Sequence, residues 1–128
     1  MKVCTTEWIE KAEADFHSAE REYRARNRPN YDATCFFAQQ CIEKYLKARL
    51  LESGITFAKT HDLETLLDSL LPVEPLWEPF RPRLINLTVF AVSFRYPGET
   101  ATKELAREAL ADVRYIRKQI RGYMGLAN

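Results

Sequence analysis

Three places in the 128-residue chain hold side chains equipped for chemistry. Arg95 stands just ahead of Tyr96, Pro97 and Gly98, a turn sequence that presents a guanidinium at the surface. Such a planar fork grips a phosphate or carboxylate through two parallel hydrogen bonds. A carboxylate of the same chain, Glu99 or Glu43, could also occupy it. Tyr96 beside it can stack on a base or close the core, and core closure is the expectation. Gln39, Gln40, Glu43, Lys44 and Lys47 make one polar stripe on an otherwise apolar segment. Glu43 and Lys47 have the i, i+4 spacing of a helical ion pair, and the same groups could line a cleft that a ligand phosphate enters. The two glutamines are expected to fix helix packing through their amides. His61, in Lys59-Thr60-His61-Asp62-Leu63, is expected to brace the loop before a helix with its ring, the alternative being ligand binding or proton transfer.

Little else in the chain suggests chemistry. His17 falls opposite an apolar stripe and is expected in solvent. Two histidines and three cysteines, Cys4, Cys35 and Cys41, offer no ligand spacing for zinc and no C-x-x-C pair. The thiols read as reduced and structural, as in a cytoplasmic protein. No cofactor is expected. Residues 1–8 lack the apolar run of a signal peptide. The most apolar stretch, residues 84–94, is half the length of a membrane span and includes Asn86 and Thr88.

These groups need a scaffold, and its class is legible. Hydrophobic residues make up 46% and charged residues 29%, which excludes a disordered chain. Nineteen Lys and Arg against eighteen Asp and Glu leave a net charge of +1, so any nucleic-acid contact must come from a local patch. Four glycines are too few for the tight turns of an all-β chain. A helix over residues 6–26 carries Trp8, Ile9, Ala12, Phe16, Ala19 and Tyr23 in one arc. A second runs from an Asn30 cap to Ser53 with Gly54 after it, and is apolar around most of its circumference, which marks it as central. A short third opens on Thr60 and carries Leu63, Leu66, Leu67 and Leu70. Pro72, Pro75, Pro79 and Pro82 leave only a broken or short helical turn before a fourth helix over 84–94. The last, over 100–124, places Leu105, Ala109, Val113, Ile116, Ile120 and Met124 on one face. Its other face carries Lys103, Arg107, Arg114, Arg117, Lys118 and Arg121, expected as a solvated stripe that RNA or an acidic partner could use. Residues 1–128 form a single all-α domain, an up-down antiparallel bundle of four to six helices.

Three boxes read together resemble the HEPN family (higher eukaryotes and prokaryotes nucleotide-binding). They are Gln39-Gln40-Cys41-Ile42-Glu43-Lys44-Tyr45-Leu46-Lys47, the Thr60-His61-Asp62-Leu63 run, and Arg95-Tyr96-Pro97, with Trp8, Ala12 and Asp15 fitting its first helix. The resemblance implies a bundle that is commonly a homodimer and often encoded beside a minimal nucleotidyltransferase in two-component or toxin–antitoxin pairs. Some members are metal-independent ribonucleases, with an Arg followed after four to six residues by a His; others bind nucleotides, RNA or partner proteins. Here Thr100, Ala101 and Thr102 occupy the positions of that His, and no histidine follows His61. An arginine alone cannot shuttle the protons that RNA cleavage requires.

The leading expectation is therefore a cytoplasmic, non-catalytic, homodimeric HEPN-like module that binds a nucleotide, RNA or a partner nucleotidyltransferase. Its ligand-binding residues would be Arg95, Tyr96, Lys47, Glu43, Lys44, Gln40 and His61, with Arg95 and Lys47 meeting the anion and Glu43 and His61 orienting them. The alternatives are a ribonuclease toxin using Arg95 with His61 or Glu43, and a dimerisation scaffold with no ligand.

Overall fold

The computed structural model describes residues 1–127 and contains five α-helices: α1 (Val3–Arg24), α2 (Tyr31–Glu52), α3 (Leu63–Leu70), α4 (Arg81–Ser93) and α5 (Lys103–Tyr123). A 3-10 helix, Pro75–Phe80, leads directly into α4. No strand occurs among the described residues. The all-α bundle reading holds.

Helix α2 is the centre, packed against α1, α3, α4 and α5. Cys35, Ala38, Cys41, Ile42, Tyr45, Leu46, Ala48 and Leu50 are all sealed from solvent around its circumference. Asn30 caps it by accepting from the Ala33 amide at 2.9 Å. At the other end Gly54 takes φ +70°, a conformation that favours glycine, so that the Gly54 and Ile55 amides return to the carbonyls of Leu51 and Leu50. This reversal starts the loop that carries His61.

Helix α1 buries Thr5, Ile9, Ala12, Phe16 and Ala19 at three- and four-residue steps, while Trp8 and Tyr23 lie half-buried at the edges of that stripe. Helix α5 buries Ala106, Ala109, Leu110, Val113, Ile116 and Ile120. Leu105, read as core, is only half-buried.

The start of α3 differs from expectation. Asp62, not Thr60, caps α3: its carboxylate accepts from the Glu64 amide at 3.2 Å and from the Thr65 hydroxyl at 2.8 Å. Thr60 instead accepts from the Asp62 amide at 3.0 Å, a turn that delivers the chain to the cap. In the proline segment the short helical turn is the alternative that forms, as a 3-10 helix. Pro75 begins the 3-10 helix and Pro82 lies in the first turn of α4, where a missing amide hydrogen costs nothing. Trp77 and Phe80 use this segment to reach the core.

Candidate functional site

One face of α2, at Phe36, Gln39, Gln40, Glu43 and Lys47, supports both motif loops. Three- and four-residue steps keep these side chains on one side of the helix. The 54–62 loop lies over its lower part. Gln39, 3% exposed, donates to the His61 carbonyl at 2.8 Å and to Glu43 Oε1 at 3.1 Å, while its own oxygen accepts from Gln40 at 2.8 Å. Every polar atom of that amide is used in packing.

Glu43 is the hub, also 3% exposed. His61 Nδ1 meets its Oε1 at 2.9 Å, and Lys47 Nζ donates to its Oε2 at 3.0 Å. Burial pushes its carboxyl up, but the hydrogen bonds of His61, Lys47 and Gln39, with the Lys47 charge, outweigh burial and hold it below the ordinary carboxylate value. Lys47 itself is buried, its Nζ 5.8 Å from the Trp8 ring centre and 5.9 Å from that of Phe57. Its charge is engaged inside the fold by a carboxylate and two aromatic faces. The His61 ring, by contrast, is 75% exposed beyond its Nδ1 contact. It matches the loop-bracing role read from the sequence.

Lys44 leaves the stripe. It turns toward α1 and pairs with Asp15. Within this polar stripe Glu43, Lys47, Gln39 and Gln40 come together with His61, and Lys44 does not.

Arg95 stands at the exposed C-terminal edge of α4, over the upper end of the same α2 face. Its guanidinium lies 5.9 Å from the Phe36 ring centre. Among the described residues no carboxylate lies within 4.0 Å of it, so neither Glu99 nor Glu43 pairs with it. A groove of about 400 Å³ opens beside it, walled by Phe36, Phe37, Ala91 and Phe94, with Asn30 and Asp32 at its end. Asp32 is already committed: its carboxylate accepts from the Ala101 amide at 2.7 Å, which ties the 95–102 segment to the start of α2. Gly98 takes φ +99° in that segment, a turn closed to most side chains. Tyr96, expected in the core, is 63% exposed, because the chain leaves α4 before its ring can turn inward. Phe36 sits seven residues before Glu43, about 10 Å along the helix axis. Arg95 and His61 thus occupy neighbouring levels of one face. Phe36 escaped sequence reasoning, although its spacing from Gln39 and Glu43 places it on that face.

The basic stripe of α5 is expected in solvent, and Lys103, Arg107, Arg114 and Lys118 are exposed there. What the sequence did not show is that most of the stripe is also bound to α1. Arg114 donates twice to Glu20, at 3.0 and 3.2 Å, and Arg117 twice to Glu13, at 2.5 and 2.7 Å. Arg121 reaches Tyr45 at 2.8 Å, and Arg107 reaches Tyr23 at 3.2 Å. The acidic residues of α1 were visible in the sequence, but not which helix they would face.

Among the described residues no group of three or more His, Cys, Asp or Glu side chains is placed to hold a metal ion, and no helix is long and apolar enough to cross a membrane. Cys35 and Cys41 are buried, and burial with the Asp32 charge pushes the Cys35 thiol up to about 12, so both behave as core groups.

The model of the HEPN domain matches residues 5–123, nearly the whole bundle including both motif loops. The chain belongs to the HEPN family. Among solved structures, TT1696 from Thermus thermophilus is similar with a TM-score of 0.78 at 23% identity, over 92% of this chain and 96% of that one. ST0689, described as an archaeal HEPN homologue, has a TM-score of 0.68 at 25% identity, over 96% and 98% of the two chains. A search of curated protein sequences finds no match. Within this HEPN domain Gln39, Gln40, Glu43, Lys47 and His61 are one hydrogen-bonded unit, and the Arg-Tyr-Pro box flanks it.

Proposed function

We propose that this HEPN domain is a non-catalytic, homodimeric module whose Arg95 groove binds an anionic group. That group is the phosphate of a nucleotide or RNA, or a carboxylate of a partner minimal nucleotidyltransferase in a two-component or toxin–antitoxin pair. One observation carries the reading: an exposed guanidinium, without a carboxylate among the described residues, beside a groove with aromatic walls. Tyr96, next in the chain and largely exposed, is positioned to cover a planar ligand. Glu43, Gln40 and His61 act on this site by holding the α2 face and its loop rigid. Lys47 supports them from inside. No histidine stands within seven residues after Arg95, so a proton donor for strand cleavage is missing beside it.

Isothermal titration of AMP, ATP and a short RNA into the protein and into Arg95→Ala tests this. Binding weakened about tenfold or more by Arg95→Ala is expected, the loss of a charge-assisted bidentate contact. Equal affinity of both proteins for every ligand removes the groove from consideration.

A second reading has a specific observation behind it. A buried carboxylate at 2.9 Å from Nδ1 holds the proton on that nitrogen and leaves Nε2 of an exposed ring free to accept one. This is the arrangement of a general base. Incubation of RNA with the protein decides between the two: the module leaves RNA intact, whereas a ribonuclease built on this pair loses its activity in His61→Ala and in Arg95→Ala.

A further inference from the structure

The end of the bundle where α1 finishes and α2 and α5 begin carries a second feature, which does not depend on the Arg95 groove. A hollow of about 760 Å³ opens between the 25–30 turn and the first turns of α5. Arg24, Arg26, Lys103 and Arg107 line it together with Tyr23 and Tyr31, and no carboxylate does. Arg26 and Lys103 have no ion-pair partner among the described residues. Arg24, 67% exposed, shares its one carboxylate, Glu20, with Arg114. In a chain with a net charge of +1, four cations around one opening form a concentrated positive field. The starts of α2 and α5 add the positive ends of two helix dipoles against the negative end of one.

The tyrosines narrow the kind of anion. Their ring centres lie 6.0 Å apart with planes tilted by 52°, so neither ring covers the other's face. Both are half-buried, which fixes them in place while leaving part of each open. Arg107 donates to the Tyr23 oxygen at 3.2 Å, so the tyrosine's own hydroxyl proton remains available to a phosphate oxygen. Cations alone suit any acidic surface. Cations interleaved with rigid aromatic faces suit a strand whose charges and flat bases alternate. The hollow's size falls within the roughly 300–1,000 Å³ that enclose a small organic ligand, enough for a nucleotide unit.

We propose that this hollow binds single-stranded RNA, its phosphates on Arg24, Arg26, Lys103 and Arg107 and a base against Tyr31. The site is separate from the Arg95 groove, and either can fail without the other.

The test is fluorescence anisotropy with a labelled oligouridylate of about twelve nucleotides and the full chain. Four phosphate contacts predict an affinity that falls with salt at a log–log slope of about −3. The double variant Arg26→Glu/Lys103→Glu is expected to weaken binding by about tenfold or more and to halve that slope. Glutamate in the first turn of α5 favours its dipole, so this variant keeps its fold, as circular dichroism will confirm. Tyr31→Leu retains the cations and removes the ring; it should weaken binding by about tenfold. Lys118→Ala, which removes an exposed cation far along α5 from the hollow, should leave this binding unchanged, and an RNA duplex of the same length, its base faces hidden, should bind at least about tenfold more weakly. Absence of salt-dependent binding overturns the proposal. So does duplex binding equal to that of the single strand, or a loss in Lys118→Ala as large as in Arg26→Glu/Lys103→Glu. Displacement by polyglutamate as efficient as by unlabelled RNA would reassign the hollow to an acidic protein and reject the nucleic-acid occupant.

Discussion

Glu43 and Asp112 are carboxylates withdrawn from water in the same fold, and their surroundings move them in opposite directions. Glu43 receives three hydrogen-bond partners and a lysine charge, and titrates below its ordinary value. Asp112, its side chain 16% exposed, is raised to about 6 by burial and the nearby Glu108 charge, against which Arg83 at 3.6 Å is insufficient. Linkage gives the signs. A depressed carboxylate adds stability above its unfolded pKa, and that stability is lost as pH falls through the folded value. Glu43→Gln should therefore cost about 2–4 kcal/mol at neutral pH, because Lys47 is left buried with half a partner, and the difference from the parent should shrink in acid. A raised carboxylate does the reverse: its contribution is intact below the unfolded pKa and is lost as pH rises through the folded one. Asp112→Asn should stabilise the protein by on the order of 1 kcal/mol above pH 6, after allowance for solvent screening, and have no effect below about pH 4. Urea titrations of both variants at pH 3.5, 5 and 7 check the two signs together.

At the scale of the element, the α1–α5 seam is held by geometry as much as by charge. Arg117 makes two hydrogen bonds to Glu13 while its guanidinium lies 4.3 Å from the Phe16 ring centre. Glu13 also accepts from Tyr45 at 2.5 Å, so one carboxylate joins α1, α2 and α5. A lysine preserves the charge but not the planar fork, and Arg117→Lys should destabilise by about 1–2 kcal/mol. Arg114→Lys, at a site 48% exposed, should cost under about 0.5 kcal/mol. Thermal melts of the two variants, side by side, separate shape from charge. This seam also shows what the sequence could and could not disclose. Helices followed from apolar spacing, and the central position of α2 from its apolar girth, because both depend on local periodicity. The partners of Lys44 and of the α5 arginines did not, because Asp15 lies 29 residues away and Glu13 lies 104 away from Arg117. Such pairings are set by how the helices dock. Within the candidate site, the Glu43–Lys47 pair was legible as a spacing, and its burial between Trp8 and Phe57 was not. Thr60 and Asp62 are both good caps by composition, and only the path of the chain chooses Asp62.

At the scale of the whole molecule, one face of α4 is left open among the described residues. Ile85, Val89 and Val92 are 39%, 50% and 58% exposed and follow one another at four- and three-residue steps. They form a stripe of about 10 Å. Arg81 and Arg83 lie before the stripe and Arg95 after it, so the stretch between them carries no charge of its own. A self-complementary apolar face is what a two-fold contact uses, and this stripe is the seam we propose for the homodimer. Val89→Glu places a charge at the middle of that seam while remaining at home in water on a single helix. Sedimentation velocity should show the parent as a dimer at tens of micromolar and Val89→Glu as a monomer with unchanged helicity. Leu76→Glu removes an equally prominent apolar side chain, 68% exposed on the 3-10 helix, but stands outside the stripe and should leave assembly intact. A parent that sediments as a monomer, or a Leu76→Glu variant that dissociates as readily as Val89→Glu, would move the seam away from α4.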